Sequence, residues 1–265
     1  MKKWIGILLT TLLLFGVAFA AEPGDLTTYT DAELLALVAQ AGAELRARNT
    51  PVIPGDPLAG LRYASNGKEV RIIGYIGTTG IVHIPDEIDG VPVTQIYDGM
   101  CNEVEKNDLD ICSLRLPKGL VSIGSRAFQS TYHLEHELVM PTTLEIIKAQ
   151  AFCWSDVTGL VLQSDCVLEL QAFAMGDKLQ FCYIREGCAV DLGALAFEDT
   201  PMETIVIPAD VTKISNSAFD DCNYLTVYCP AGSYAEKFCL ENFIVCDTAN
   251  YETMVAYYEA LYPAE

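Results

Sequence analysis

The chain has 265 residues, of which 51% are hydrophobic, and its formal net charge is −20 from 16 Lys+Arg and 36 Asp+Glu. This apolar content supports a packed core and excludes an intrinsically disordered chain. Because a polyanion repels nucleic acid and anionic lipid, we expect neither as a partner. The charge is typical of a soluble exported protein, but it does not identify what the protein binds.

Residues 1–20 have the features of a signal peptide. Lys2 and Lys3 precede an apolar run that ends in a small-x-small cleavage site at 18–20. Cleavage there gives a mature chain that starts at Ala21 and, having lost two lysines and no acids, has a net charge of −22. An uncleaved anchor is the alternative, although the run is short for a membrane span. No later segment is long and apolar enough to cross a bilayer, so we expect no membrane contact after cleavage.

The segment 21–50 predicts an N-terminal helix, which we place from Asp25 to Asn49. Thr30 and Glu33 have the spacing of a capping box. Apolar residues recur at helical spacing on one face: Leu34, Val38, Ala41 and Leu45.

A proline-rich and glycine-rich segment, 51–60, follows the helix and is typical of a stiff linker. Beyond it, Leu61 to Ile73 contains two alternating apolar runs on either side of Asn66-Gly67. Asn-Gly is a strong signal for a tight turn between antiparallel strands. The sequence therefore predicts a hairpin at the start of the next region.

A repeated pattern, Ile-x-x-x-Ala-Phe with Leu allowed first, dominates the rest of the chain. Its alanines are Ala127, Ala151, Ala172, Ala196 and Ala218, and the steps between them are 24, 21, 24 and 22 residues. An alternating apolar triplet precedes each Ala-Phe and often ends in proline. Self-similarity at a period of roughly 20–29 residues predicts a solenoid.

The physics of one repeat explains the pattern. The triplet is a strand, so its first and third residues point inward and its middle residue points outward. The Ile-x-x-x-Ala-Phe segment turns the chain back, with the small alanine where coils approach closely and the phenylalanine between coils. One coil cannot bury its own apolar face, so stacked coils form one continuous core.

The repeat resembles that of the BspA-like leucine-rich-repeat family. The best copy runs from Ile205-Val206-Ile207-Pro208 through Ile214 and Ala218-Phe219 to Leu225, and the resemblance covers roughly 61–247. The resemblance implies a secreted or surface-exposed bacterial protein, often one that adheres to proteins or cells. It implies no catalytic residues.

We therefore predict an α/β fold: a leucine-rich-repeat solenoid over 61–247, made of short parallel strands and helical turns. The N-terminal helix precedes it, and a C-terminal helical cap over 248–265 follows it. The predicted function is binding of a protein or a surface polymer outside the cell, of the adhesion type, with no catalysis and no cofactor. The alternative is a structural, self-assembling component of the envelope.

Outward residues of stacked triplets form two columns on the predicted strand face. The middle column is His83, Arg115, Val139, Val161, Tyr183, Val206 and Tyr228. The column two residues earlier is Ile81, Ser113, Glu137, Gly159, Phe181, Thr204 and Thr226. Exposed aromatic and apolar residues often mark interfaces, so we take Arg115, Val139, Val161, Phe181, Tyr183, Val206 and Tyr228 as the candidate binding surface. Plain strand propensity is the alternative, since Val and Tyr suit any strand.

Ten cysteines in an exported chain favour some disulfides, although buried reduced thiols are the alternative. Three pairings are candidates. Cys166 and Cys188 lie in adjacent coils, and Cys101 and Cys112 flank an acidic insertion, 101–112. One pair among Cys229, Cys239 and Cys246 is also expected, at the end of the solenoid. Cys222 is expected to be a buried thiol.

One metal-like cluster occurs, His133-x-x-His136 with Glu135 and Glu137. So short a match is weak, and a solvated turn of a coil is the better interpretation. The chain has no Cys-x-x-Cys pair, and its three histidines lie beside no recognisable nucleophile motif. We therefore predict no metal site and no catalytic residues.

Overall fold

The computed structural model describes residues 30–48, 58, 60–101 and 111–264. The chain divides into two compact units, Ile53–Asp247 and the combination of Met1–Val52 with Thr248–Glu265. The predicted signal peptide, most of the predicted linker and most of the acidic insertion lie outside the described residues.

The unit Ile53–Asp247, here called the repeat unit, contains strands and one helix in its described residues. Its strands are β1 (Leu61–Ser65), β2 (Val70–Tyr75), β3 (Ile81–His83), β4 (Glu87–Ile88), β5 (Val91–Ile96), β6 (Ser113–Arg115), β7 (Ser122–Ile123), β8 (Glu137–Val139), β9 (Ile146–Ile147), β10 (Gly159–Leu162), β11 (Val167–Leu168), β12 (Phe181–Ile184), β13 (Asp191–Leu192), β14 (Thr204–Val206), β15 (Lys213–Ile214), β16 (Thr226–Tyr228) and β17 (Val245–Asp247). Its helix spans Tyr234–Asn242.

Most coils contribute one strand to each of two parallel sheets, and β3 and β6 pair in a separate two-stranded ladder. The front sheet has the order β17-β16-β14-β12-β10-β8, and the triplets of the sequence form its strands. The side sheet runs β2-β5-β7-β9-β11-β13-β15, and the first residue of each Ile-x-x-x-Ala-Phe pattern lies on it. The architecture is a parallel β-solenoid, as the repeat period predicts.

The third side of the coil is a ladder of turns, and the predicted helical turns are not confirmed. The backbone amides of Phe128, Phe152 and Phe173 donate to carbonyls of the next coil at 2.8 Å each. The residue before each alanine adopts a left-handed φ of 55–58° in four successive coils: Arg126, Gln150, Gln171 and Leu195. Because these amides bond between coils, they cannot form the bonds of a helix within one coil.

The core of the solenoid contains a ladder of phenylalanine rings. Successive rings from Phe128 to Phe219 stack at centroid distances of 5.0, 4.9, 6.0 and 5.9 Å. The alanine before each of these rings is fully buried. At the C-terminal end, Phe238 packs edge-on against Phe219 at 6.2 Å. The prediction that alanine admits close coils and phenylalanine fills the space between them is confirmed.

The N-terminal hairpin is also as predicted. β1 pairs antiparallel with β2 around Asn66-Gly67, and β2 then pairs with β5 of the side sheet. Gly67 has a φ of 81°, which a residue with a side chain rarely adopts. Asn66 accepts hydrogen bonds from the backbone amides of Lys68 and Glu69 at 2.9 Å each, which fixes the turn.

The other unit contains two helices that pack together, α1 (Asp31–Arg48) and α3 (Tyr251–Leu261). The capping box is present, because the Thr30 amide donates to Glu33 at 2.7 Å and the Glu33 amide donates to the Thr30 hydroxyl at 3.3 Å. Leu34 and Val38 are fully buried. No described helix is long and apolar enough to span a bilayer. The C-terminal cap stays a prediction.

Removing one ring of the phenylalanine ladder is expected to destabilise the repeat unit strongly. Phe152 is 1% exposed and stacks on rings from both sides. Phe152→Ala should lower the free energy of unfolding by about 3–5 kcal/mol, as for other buried phenylalanines. Urea denaturation measures this change. The control Tyr132→Ala removes a ring that is 54% exposed and should change stability by no more than about 0.5 kcal/mol. Equal effects would contradict the ladder's role.

Candidate binding surface

The front sheet aligns the outward residues of successive coils. Its register pairs Val139 with Val161, Val161 with Tyr183, Tyr183 with Val206 and Val206 with Tyr228. Phe181 pairs with Gly159 on one side and Thr204 on the other. His83 pairs with Arg115 in the β3–β6 ladder. The register therefore aligns the predicted middle column from Val139 to Tyr228, and it aligns His83 with Arg115 in a separate ladder.

Most of the middle column is not open surface, contrary to the prediction. Val161, Tyr183 and Val206 are fully buried and Tyr228 is 7% exposed, although all four lie outside the inner core. The period of a strand determines the direction in which a side chain points, but not whether other residues cover it. Substitutions of Tyr183 and Tyr228 would therefore disturb packing as well as any binding.

The position of the Phe181 ring depends on the glycine opposite it on the neighbouring strand. Gly159 lies opposite Phe181 in the register, and a β-carbon on Gly159 would come within 2.2 Å of the Phe181 ring. The ring thus occupies the space that a side chain at 159 would fill, and it is half-buried. A glycine in a strand often marks such a close approach.

The exposed part of the front surface lies at Arg115, Glu137 and Val139. Val139 is 40% exposed, and Glu137 is also exposed. Arg115 forms an ion pair with Asp86 at 3.2 Å, with half of its side chain still exposed. An apolar residue between charged ones, with the arginine held in place by an ion pair, suits recognition of another protein. Of the predicted surface, this part and Phe181 are accessible.

His136 fills a gap in the front ladder. β6 pairs with β3 and not with β8 in the described sheets. The Leu114 amide of β6 instead donates to His136 Nε2 at 3.1 Å, and His136 Nδ1 lies 3.0 Å from the Glu137 carbonyl. This arrangement requires a neutral ring with the proton on Nδ1, and burial lowers the pKa of His136. The sequence placed His136 in a solvated turn and gave no signal for this role.

Glu135, another member of the metal-like cluster, forms an ion pair. Lys178 bridges Glu135 and the buried Asp156, whose carboxylate lies 3.1 Å from the lysine nitrogen. The hydrogen bond and the charge of Lys178 lower the pKa of Glu135. Among the described residues, no group of three or more His, Cys, Asp or Glu side chains is placed to hold a metal ion.

Three thiols meet at the end of the repeat unit. Cys229 and Cys246 lie on adjacent coils with their sulfurs 3.4 Å apart, and Cys246 also hydrogen bonds with Cys239. Burial and the neighbouring thiols raise the pKa of Cys229 and of Cys239. The thiolates of Cys229 and Cys239 are therefore scarce at neutral pH. Joining two thiols in a disulfide removes two electrons, so it requires an external disulfide or another oxidant.

The other predicted pairs are less clearly arranged. Cys166 is buried, and burial with the neighbouring Cys188 and nearby carboxylates raises the pKa of its thiol to about 12. Cys101 is buried whereas Cys112 is exposed, with its sulfur 3.6 Å from the Gly80 carbonyl. All of these cysteines are thiols in this structure. Their pairings stay predictions.

The stacked coils, the parallel front and side sheets and the leucine-rich pattern define a leucine-rich-repeat solenoid. Residues 102–226 match the family model described as the BspA type Leucine rich repeat region, with 6 copies. This stretch of the chain therefore consists of BspA-type leucine-rich repeats. No curated protein matches the chain.

Solved structures of bacterial leucine-rich-repeat proteins are similar to this chain. A leucine rich repeat protein of T. pallidum is 24% identical, with a TM-score of 0.40, over 64% of this chain and 68% of that one. A leucine rich cell surface protein of Faecalibacterium prausnitzii A2-165 is 20% identical, with a TM-score of 0.40, over 68% of this chain and 55% of that one.

Acid is expected to destabilise the repeat unit through His136. Because its folded pKa lies below the ordinary value of 6.5, the unfolded chain binds a proton first as the pH falls. Stability should therefore be complete above about pH 7 and should fall as the pH drops below about 6.5. His83, whose pKa is lowered by burial, Arg115 and His136, adds in the same direction.

Urea denaturation at about pH 7.5 and about pH 5.5 measures this loss. His136→Gln should show a smaller loss between the two conditions than the native protein. His133→Gln is the control and should retain the native dependence. A dependence that is the same in His136→Gln as in the native protein would contradict the assignment.

Cys229 and Cys246 are expected to form a disulfide when the protein meets a disulfide oxidant. They are 17 residues apart, and closing a loop of about that size stabilises a protein by about 3 kcal/mol. Peptide mapping without reduction identifies the bridge, and thermal unfolding with and without reductant measures its effect. Cys166→Ala should leave the bridge intact, and Cys246→Ala should abolish it. Two free thiols after oxidation would disprove the pairing.

Proposed function

We propose that this protein is an exported binding module of the adhesion type, which contacts a protein partner through the accessible part of its front surface. The observation that supports the proposal most directly is the register of the front sheet, which holds outward side chains in fixed columns. A rigid surface loses little conformational entropy on binding, so its contacts contribute more fully to affinity.

The proposed contact surface consists of Arg115, Glu137, Val139 and the exposed part of Phe181. It combines an arginine with an aromatic ring, and both kinds of residue are common among those that contribute most of the binding energy at interfaces. The buried residues of the middle column, Tyr183 among them, are not proposed as direct contacts.

Export is part of the proposal. The predicted signal peptide, the strong negative charge and the high cysteine content all suit a protein outside the cytoplasm. We place the mature protein outside the cell or at its surface. The proposal includes no catalysis, because two of the three histidines make structural contacts, His83 with Ser113 and His136 with Leu114.

Binding is expected to depend on Val139 and not on a matched valine of the side sheet. Val139 is 40% exposed on the front sheet and Val167 is 37% exposed on the side sheet. A glutamate at 139 would place a charge in the contact, so Val139→Glu should weaken binding by at least roughly tenfold. Val167→Glu adds the same charge elsewhere and should change affinity by less than about threefold.

The experiment begins with a pull-down of host extracellular proteins and bacterial surface extracts on the purified protein. Each partner identified by mass spectrometry is then purified, and its Kd is measured for the native protein and both variants. Equal Kd values for native protein and Val139→Glu would exclude the front surface. Recovery of the protein itself as the sole partner would favour the self-assembling envelope component instead.

A further inference from the structure

A helix in the last part of the solenoid, between β16 and β17, covers the end of the core. In α2 (Tyr234–Asn242), Ala235, Phe238 and Cys239 are buried, and Phe238 lies edge-on against the final ring of the phenylalanine ladder. Ser233 caps the helix by accepting a hydrogen bond from the Glu236 amide at 3.2 Å. The inner side of α2 therefore does what a capping element must do.

The outer surface of this end carries several large exposed apolar side chains, and covering the core does not require them. Leu240 is 71% exposed, Phe243 97% and Val245 64%. Tyr224, on the preceding coil, is 74% exposed. Capping elements normally present a polar outer face because solubility depends on it. Exposed apolar residues that occur together mark a contact surface.

Phe243 is unfavourable for the fold in two respects. Its backbone is left-handed, with φ 58° and ψ 33°, where glycine or asparagine is preferred. Its ring is almost wholly in solvent, so burial gives the fold nothing in return. Backbone strain at an exposed aromatic residue suggests a role other than stability.

The four residues lie on one region of the last two coils, here named the end patch: Tyr224, Leu240, Phe243 and Val245. The register of β16 and β17 pairs Thr226 with Val245. Tyr224 and Phe243 each lie two residues before these paired positions, just ahead of strands on adjacent coils. Leu240 lies in the last turn of α2, and Phe243 is the C-cap that follows it.

The charge around the end patch identifies the chemistry of its partner. The stretch 220–247 contains five carboxylates and a single basic residue, Lys237. Asp220, Asp221 and Glu241 are exposed and close to the patch in sequence, and Glu241 is the one that pairs with Lys237, at 3.8 Å. A second copy of a chain with net charge −20 would bring like charges together here. A cationic partner would gain from both the charge and the apolar surface.

We propose that the end patch binds a protein segment that combines apolar side chains with lysine or arginine. The end patch lies at the last two strands of the front sheet, β16 and β17, whereas Phe181, the nearer proposed contact of the front surface, lies on β12, so the patch uses a different set of coils. The apolar side chains of the segment cover Tyr224, Phe243 and Val245, and its cations face Asp220 and Asp221.

The probe is a short, soluble synthetic peptide rich in leucine and lysine, labelled for fluorescence anisotropy. A leucine–glutamate peptide of equal length tests the charge requirement. Phe243→Gly is the informative variant, because it leaves the net charge unchanged and supplies the residue that a left-handed position prefers. Its thermal midpoint should be no lower than that of the native protein. Tyr132→Ala, which removes an exposed ring from another coil, is the control.

We expect saturable binding of the cationic peptide, weakened at least roughly tenfold by Phe243→Gly. The control variant should bind as the native protein does, and the acidic peptide should not bind. Equal affinity of native protein and Phe243→Gly would overturn the proposal, and so would equal binding of the two peptides. A dimer seen by light scattering that Phe243→Gly dissociates would show that the occupant is a second copy. None of these outcomes depends on Val139, so the proposed front surface is tested separately.

Discussion

Backbone hydrogen bonding between coils is the constraint on which the rest of this structure depends. On the front sheet the Met140 amide donates to the Val161 carbonyl at 2.9 Å, and on the turn ladder Phe152 donates to Ala172 at 2.8 Å. Because a buried amide without a partner is costly, no coil is stable alone. These bonds explain the small alanines and the stacked phenylalanines, which allow neighbouring coils to approach closely enough to form them.

Much of this arrangement could be predicted from the sequence because it repeats. The spacing of the Ala-Phe pairs predicted stacked rings, and alternation within triplets such as Leu160-Val161-Leu162 predicted which residues point inward. The pairing of Val161 with Tyr183 agrees with the columns derived from that alternation. Repeated local signals that agree with one another define a fold more reliably than any single one.

The remaining features arise from contacts that no repeat encodes. The left-handed backbones of Arg126 and Gln150 are imposed by the bonds of neighbouring coils, since neither residue prefers that conformation. Burial of Tyr183 depends on what covers the outer side of the sheet, and strand period carries no information about that. His136 accepts a bond from a coil 22 residues earlier. The end patch could not be predicted from the repeat pattern, because the exposure of Leu240 and Phe243 depends on where the stack of coils ends.

The break in the front ladder has a mechanical consequence. A solenoid that joins two surfaces transmits tension from coil to coil, and hydrogen bonds loaded together resist separation better than one alone. Among the described residues, the front contact between β6 and β8 is the imidazole bond from His136, whereas β7 and β9 are paired on the side sheet. Under tension these two coils would separate between β6 and β8 while β7 and β9 stay paired. The junction between the two coils would therefore act as a hinge within the solenoid.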